Sequence, residues 1–245
     1  MLHQQTIIFA PLATYDVVIP CNNRAHVVAD AVRSVLDQEH APGRVIVVDD
    51  GSSDDSALVI RDLMKRHPRV EGVILPRNVG ASQARNTGAG LARAEWIAFL
   101  DSDDMWLPGA ARALLDGPMA MAHDIVVGHF ARVEGDGAPG EPECGWDAGC
   151  IRRGLASGGV IGPSWSVVRR AIVERVGGFD PSFHNCNDWD FYTRAAAAGA
   201  RFGRIDACVA LYRTVAGGRL VNDIAIGARN ADRVLSHPYL LGVDA

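Results

Sequence analysis

The chain has 245 residues, 48% hydrophobic and 22% charged, with a mean hydropathy of +0.05, a composition that suits one folded domain and leaves little room for long disorder. A formal net charge of -5 and a pI of about 5.9 exclude a protein that gains affinity by neutralising nucleic-acid phosphates. Lys65 is the only lysine, which excludes lysine Schiff-base chemistry elsewhere and a Walker-type phosphate lysine. The longest apolar window, 7–13, is short and broken by Pro11, and no basic segment precedes it. No transmembrane segment or signal peptide is therefore expected. Five scattered cysteines without a C-x-x-C imply a reducing cytoplasm and no structural zinc, with attachment to the inner face of a membrane left open.

In chain order, the apolar runs 15–20 (YDVVIP), 44–49 (RVIVVD), 70–75 (VEGVIL) and 95–100 (EWIAFL) read as short strands buried on both faces. Between them, 25–38 places Val28, Ala31, Val32, Val35 and Leu36 on one helical face, 54–66 turns Leu58, Ile60 and Leu63 inward, and 82–93 is a helix rich in Ala and Gly. This alternation predicts an open, mostly parallel α/β sheet that binds ligand beyond the strand C-termini. That edge carries Asn22 and Asn23, 49–53, 77–82 and 101–104. Further on, 108–116 is expected as a helix, 124–130 as a strand, and 134–149, dense in Gly, Pro and acids, as a loop. Then come a strand at 164–170, a helix at 171–176, a break at Gly177-Gly178, and a helix at 187–198 with Asn187 as N-cap. A strand at 207–212, Gly217-Gly218 and a helix at 220–235 complete the chain.

Asp101-Ser102-Asp103-Asp104 follows directly on an apolar strand, where clustered carboxylates suit a hard divalent cation bridging to a diphosphate, or a helix-capping turn ahead of Pro108. In Asp49-Asp50-Gly51-Ser52-Ser53 the glycine permits a tight turn and Asp54 can cap the next helix. One carboxylate is then left to accept a hydrogen bond from a nucleobase. Arg77-Asn78-Val79-Gly80, followed by Ala84-Arg85-Asn86, opens a helix whose first N–H groups and Arg85 suit an anion, with a solvated Arg85 as the alternative. Pro20-Cys21-Asn22-Asn23-Arg24 replaces any G-x-G-x-x-G, which removes dinucleotide and P-loop readings. Finally, Asp188 in a first helical turn is expected to stay ionised and to act as a base, whereas Asp190 and Arg194 form an i,i+4 pair of structural character.

Taken in order, IPCNNRAH, VVDDGSSDDS, RNVGASQARNTGAGLARAEWIAFLDSDDMWLP and GGFD…NDWDFYTRAA resemble a family 2 glycosyltransferase of GT-A fold over 15–213. The resemblance implies a single domain over 1–245, with a nucleotide-binding half (15–104) and an acceptor-binding half (105–245). It also implies inverting transfer of a sugar from a nucleoside-diphosphate donor, assisted by Mg²⁺ or Mn²⁺, to a glycan, a lipid-linked saccharide or a small metabolite. Carried onto this sequence, Pro20 and Asn22 border the nucleobase, Asp50 hydrogen-bonds it, and Asn78 and Arg85 contact the nucleotide. Asp101 and Asp103 form the D-x-D, Asp101 near ribose and metal and Asp103 as a direct metal ligand, and Asp188 is the base. The chain departs from the pattern at Asn22, where relatives often stack an aromatic, at Asn187, commonly Glu, and near Val215, where a His often follows Tyr212-Arg213; His184 is a candidate substitute, with an ordinary polar residue as the favoured alternative. Two alternatives stand beside this reading: a catalytically silent nucleotide-sugar binder of the same fold, and a nucleotidyltransferase.

Overall fold

In the computed structural model, which describes residues 13–135, 137–144, 146, 149–158, 161–214 and 224–243, strands and helices alternate through the first hundred residues. They are β1 (Tyr15–Cys21), α1 (Val28–Leu36), β2 (Val45–Asp49), α2 (Ser56–Arg66), β3 (Val70–Ile74), α3 (Ala81–Leu91) and β4 (Trp96–Phe99). β1, β2 and β4 are buried along their whole length, which is why they read as unbroken apolar runs. α1 buries Val28, Ala31, Val32 and Val35, the i, i+3, i+4, i+7 stripe of a helix lying on a sheet. On α2 the buried positions are Ser56, Ile60 and Leu63, while Leu58 is 65% exposed. The inward Leu58 expected from sequence is thereby corrected: it lies two residues, about 200° of helical rotation, from Ile60.

The chain steps outward from β1 to β2 to β3, then α3 carries it back to β4 on the free side of β1, and all these pairings are parallel. With right-handed crossovers, α1 and α2 cover one face and α3 the other. A topological switch point therefore opens between the C-terminal ends of β1 and β4. α3 lies close upon β1, since a Cβ added at Gly88 would sit 2.3 Å from Val18 Cγ1. Asp16, 2% exposed, accepts the N–H groups of Arg93 and Ala94 at 2.7 and 3.0 Å and pins the turn into β4.

The second half comprises β5 (Met105–Trp106), α4 (Ala110–Leu115), α5 (Pro118–Ala122), β6 (Ile125–Glu134), β7 (Pro142–Glu143), α6 (Ile151–Ala156) and a 3-10 turn (Pro163–Trp165). It continues with β8 (Ser166–Arg169), α7 (Arg170–Arg175), α8 (Asn187–Ala197), β9 (Phe202–Thr214), α9 (Ile224–Leu235) and α10 (Pro238–Leu241). The sheet order is β3-β2-β1-β4-β8-β6-β9-β5, with β7 beside β6. β8 runs antiparallel to β4 and β6, and β5 and β7 are antiparallel to their partners, so the sheet is wholly parallel through its first half and mixed in its second. β6 and β9 are parallel and are the longest strands, well beyond the expected 124–130 and 207–212.

The expected loop 134–149 is corrected in part, because Pro142 and Glu143 return to pair with Ala131 and Phe130. Gly217-Gly218, Val215 and the start of the helix expected from 220 lie outside the described residues. Among the described residues no helix is long and apolar enough to cross a membrane.

Candidate active site

At the switch point the loop after β1 lies against the loop after β2. Asn22 Nδ2 donates to the Asp50 carbonyl at 2.7 Å. Asn23, at φ 54° in the left-handed region where Asn is enriched, accepts the Ser53 N–H at 2.8 Å through its side-chain oxygen and so ties the two loops together. The two carboxylates of 49–53 divide their work. Asp49 takes the Ser52 hydroxyl, and Asp50 accepts the N–H groups of Val79 and Gly80, one on each oxygen, at 2.7 and 2.9 Å. The expectation of a carboxylate left over is thus corrected. Asp50 lines the cleft, yet its first duty is to fix the loop after β3, and any base contact uses its remaining lone pairs.

Gly51 permits this close approach: its φ is +62°, and an added Cβ would fall 2.3 Å from the Arg77 carbonyl carbon. Gly51→Ala is expected to destabilise by roughly 2–5 kcal/mol, from the left-handed backbone and the displaced loop together. Urea denaturation measures it.

On α3, Asn86 exchanges two hydrogen bonds with Phe179, Nδ2 to its carbonyl at 2.7 Å and Oδ1 from its N–H at 2.8 Å. This joins Ala84-Arg85-Asn86 to Gly177-Gly178-Phe179-Asp180, two motifs far apart in sequence. Arg85, only 5% exposed, reaches Asp101 Oδ1 through Nη2 at 2.6 Å and Asn187 Oδ1 through Nη1 at 3.1 Å, with its guanidinium carbon 5.2 Å from the Phe179 ring centroid. Burial works against its charge, but the Asp101 carboxylate, together with that of Asp188, more than offsets this and holds it protonated. Arg85 is a buried strut between the end of β4 and the start of α8, which overturns the solvated alternative.

The acidic turn after β4 separates into parts. Asp104, 1% exposed, accepts from the Ser164 hydroxyl at 2.6 Å and from the Arg213 N–H at 3.1 Å, and so ties β4 to the second half of the fold. Asp101 and Asp103 face the cleft, and Asp103 Oδ2 lies 3.4 Å from Arg24 Nε. Across the cleft, α8 begins at Asn187 with Cys186, at φ 56°, in the capping position. Asn187 is therefore the first helical residue and not the N-cap, and its amide is used on Arg85.

Asp188 Oδ1 accepts the Trp189 N–H at 2.8 Å. Burial pushes its carboxyl above the ordinary carboxylate range, with Arg85 and the Trp189 N–H pulling the other way. Desolvation is thus a larger influence on Asp188 than the groups that favour its charge. Asp190 pairs with Arg194 Nε at 2.8 Å, and Arg194 also donates to the carbonyls of Val176 and Gly178, the structural role expected for that pair.

One cleft of about 870 Å³ takes in Pro20, Asn22, Asp50, Asn78, Arg85, Asp101, Asp103 and Asp188 together. A profile described as Glycosyl transferase family 2 matches residues 16–177. The chain belongs to this family. It is 33% identical over 204 residues to the succinoglycan biosynthesis protein ExoU of Rhizobium meliloti (strain 1021), a match covering 78% of this chain and 59% of ExoU. It is 31% identical over 115 residues to glycosyltransferase GlyG of Streptococcus pneumoniae serotype 4, covering 47% of this chain and 38% of GlyG. The chain thus spans less than two thirds of the length of either relative. A crystal structure of S. aureus TarS 1-349 in complex with UDP-GlcNAc has the same fold, with a TM-score of 0.69 and 18% identity over 91% of this chain and 70% of that one. This likeness establishes the GT-A architecture.

For a family 2 chain, the first-half wall of the cleft carries the residues read from sequence, whereas the opposite wall holds several that sequence reasoning missed: Arg132, Trp165 and Trp189, with Phe130 between them. Phe130 and Arg132 share one face of β6 by period-2 alternation, but the expected strand stopped at Phe130. Arg24 was also missed as a neighbour of Asp103. His184 is exposed and does not line the cleft, so it is no substitute ligand there.

Among the described residues no group of three or more metal-capable side chains gathers. A hard divalent cation bound with a diphosphate needs only one or two protein carboxylates, the remaining positions being filled by phosphate oxygens and water. Asp101 and Asp103 fit that requirement.

Proposed function

We propose that the chain transfers a glycosyl group, with inversion, from a nucleoside-diphosphate sugar to an acceptor hydroxyl, the donor lying in the 15–104 half and the acceptor against the 105–245 half. The observation that carries this reading is the convergence of the acidic turn, Arg85 and Asp188 on one cleft at the β1/β4 switch point. The TarS complex with UDP-GlcNAc supports the donor class. ExoU, named for succinoglycan biosynthesis, supports a growing saccharide as acceptor, free or lipid-linked.

In this reading Pro20 and Asn22 border the base, which donates an N–H hydrogen bond to the remaining lone pairs of Asp50, and Asn78 contacts the nucleotide. Asp101 and Asp103 would hold Mn²⁺ or Mg²⁺, with Asp103 as a direct ligand. The metal, when bound, supplies positive charge to a departing diphosphate, so that no protonated acid is needed for the leaving group. Asp188 accepts the acceptor's proton as its oxygen attacks the anomeric carbon opposite the diphosphate. The upward push on its carboxyl makes it a stronger base than an ordinary aspartate.

The test is turnover of UDP-, GDP-, dTDP- and CDP-sugars, followed by release of nucleoside diphosphate and by proton NMR of the product anomer. An α-linked donor should give a β product; a retained anomer, or pyrophosphate released from a nucleoside triphosphate, contradicts the proposal. Asp103→Asn should raise the metal concentration for half-maximal turnover by roughly tenfold or more, since loss even of groups that only orient a metal ligand costs about 10–100-fold.

A further inference from the structure

Sheet register builds the wall opposite the donor residues. Arg132 on β6 is the Cα partner of Tyr212 on β9, with Phe130 two residues back on the same face. Phe130 stacks on Trp165 at 4.0 Å between centroids, and Tyr212 meets both rings edge-on at 5.8 Å. The Arg132 guanidinium carbon lies 5.5 Å from the Phe130 centroid and 5.2 Å from that of Tyr212, so the cation is layered on the aromatic cluster. Its Nε donates to Glu143 Oε1 at 2.7 Å, a pair in which both side chains stay nearly half exposed. Glu143 therefore fixes one edge of the guanidinium and leaves the Nη1/Nη2 edge as a planar fork. On the other flank, Trp189 is held by its Nε1 hydrogen bond to the Leu155 carbonyl at 2.8 Å.

We propose that this wall is an acceptor subsite for a saccharide carrying an anionic group, a carboxylate or a phosphate, with Arg132 reading the anion and half-buried Tyr212 and Trp189 packing against the sugar. The inference rests on the glycosyl-transfer reading of the cleft. Two observations favour an anionic acceptor over a neutral one. Among the described second-half residues that line the cleft, Arg132 and Asp188 are the only charged groups, so the positive fork stands apart from the one acid reserved for the proton. Sugar faces are apolar enough to pack on aromatic rings, but a neutral hydroxyl gains little from a guanidinium, whereas a carboxylate or phosphate takes both of its parallel N–H groups. The exposed ion pair with Glu143 contributes little energy and is readily shared with a ligand.

The test measures binding to the full chain by tryptophan fluorescence, with p-nitrophenyl β-glucuronide, glucose 6-phosphate and p-nitrophenyl β-glucoside as probes, alongside nucleoside-diphosphate binding by calorimetry. The expected result is at least tenfold tighter binding of one anionic probe than of the glucoside. Whether the glucuronide or the phosphate leads identifies the anion. Arg132→Gln should erase that preference, Arg132→Lys should keep part of it, and nucleotide binding should be unchanged in both. Equal binding of all three probes, or a preference that survives Arg132→Gln, overturns the anionic subsite while leaving the glycosyl-transfer reading intact. Loss of nucleotide binding in the parent chain overturns both.

Discussion

Asp188→Asn is expected to lower kcat/KM by about 10²–10⁴-fold, the usual contribution of a positioned general base, while making the folded protein more stable. The two effects come from one environment. Burial raises the Asp188 carboxyl above its ordinary value, so the fold disfavours the charge that the proposed reaction requires. Linkage gives the sign. A carboxyl raised in the folded state costs stability once it ionises, so the penalty is absent below the unfolded value of about 3.9, grows as pH rises toward the folded pKa, and is complete above it. The asparagine variant should unfold at a higher temperature than the parent near neutral pH and at the same temperature in acid. In the parent, the acid limb of kcat/KM should lie above the ordinary carboxylate range. Turnover in Asp188→Asn equal to the parent's would remove the base assignment, and a lower melting temperature at pH 7 would refute the electrostatic account.

Arg85→Met is expected to cost about 3 kcal/mol, read as a shift of the denaturant midpoint with unchanged slope. Breaking a buried ion pair by removing one partner typically costs about 3–5 kcal/mol, and the lower end applies because the Asp101 side chain keeps 30% of its surface in contact with water. The same substitution releases Asn187, and with it the start of α8 on which Asp188 stands. Donor affinity and turnover should therefore fall together. Arg85→Lys should recover only part of either, because a single ammonium lacks the fork that spans Asp101 and Asn187. Full stability in Arg85→Met would show that the strut carries no net energy.

The first-half wall of the cleft was legible in the sequence for a physical reason. Strands buried on both faces leave unbroken apolar runs, and each run ends at the ligand edge with its polar residues already in place, as Leu100 does before Asp101. What the sequence concealed was how those polar groups are shared. Asp104 and Asp101 look alike in a run of acids, but one is spent on Ser164 and the Arg213 backbone while the other meets Arg85.

The second half of the chain was much less legible. Beyond Phe130 the apolar run of β6 gives way to only four alternating residues before the expected loop begins at 134, and β7 is a two-residue strand with no apolar signal. α6 has six residues, too few to display a period. Cys186 adopts a left-handed backbone that no Gly or Asn announces, which moved the start of α8 by one residue and hid the use of Asn187.

The central claim, that this cleft holds a metal-bridged nucleoside-diphosphate donor, is tested most directly by thermal unfolding with UDP, GDP, dTDP and CDP and their sugars, each with Mn²⁺, Mg²⁺ or chelator. A ligand at 100 times its Kd stabilises by about 2.7 kcal/mol, a rise of roughly 5–10 °C for a chain of this size. The account predicts such a rise with one nucleoside diphosphate, dependent on metal and lost in Asp103→Asn. No rise with any of them, or a rise indifferent to both metal and Asp103, would contradict it.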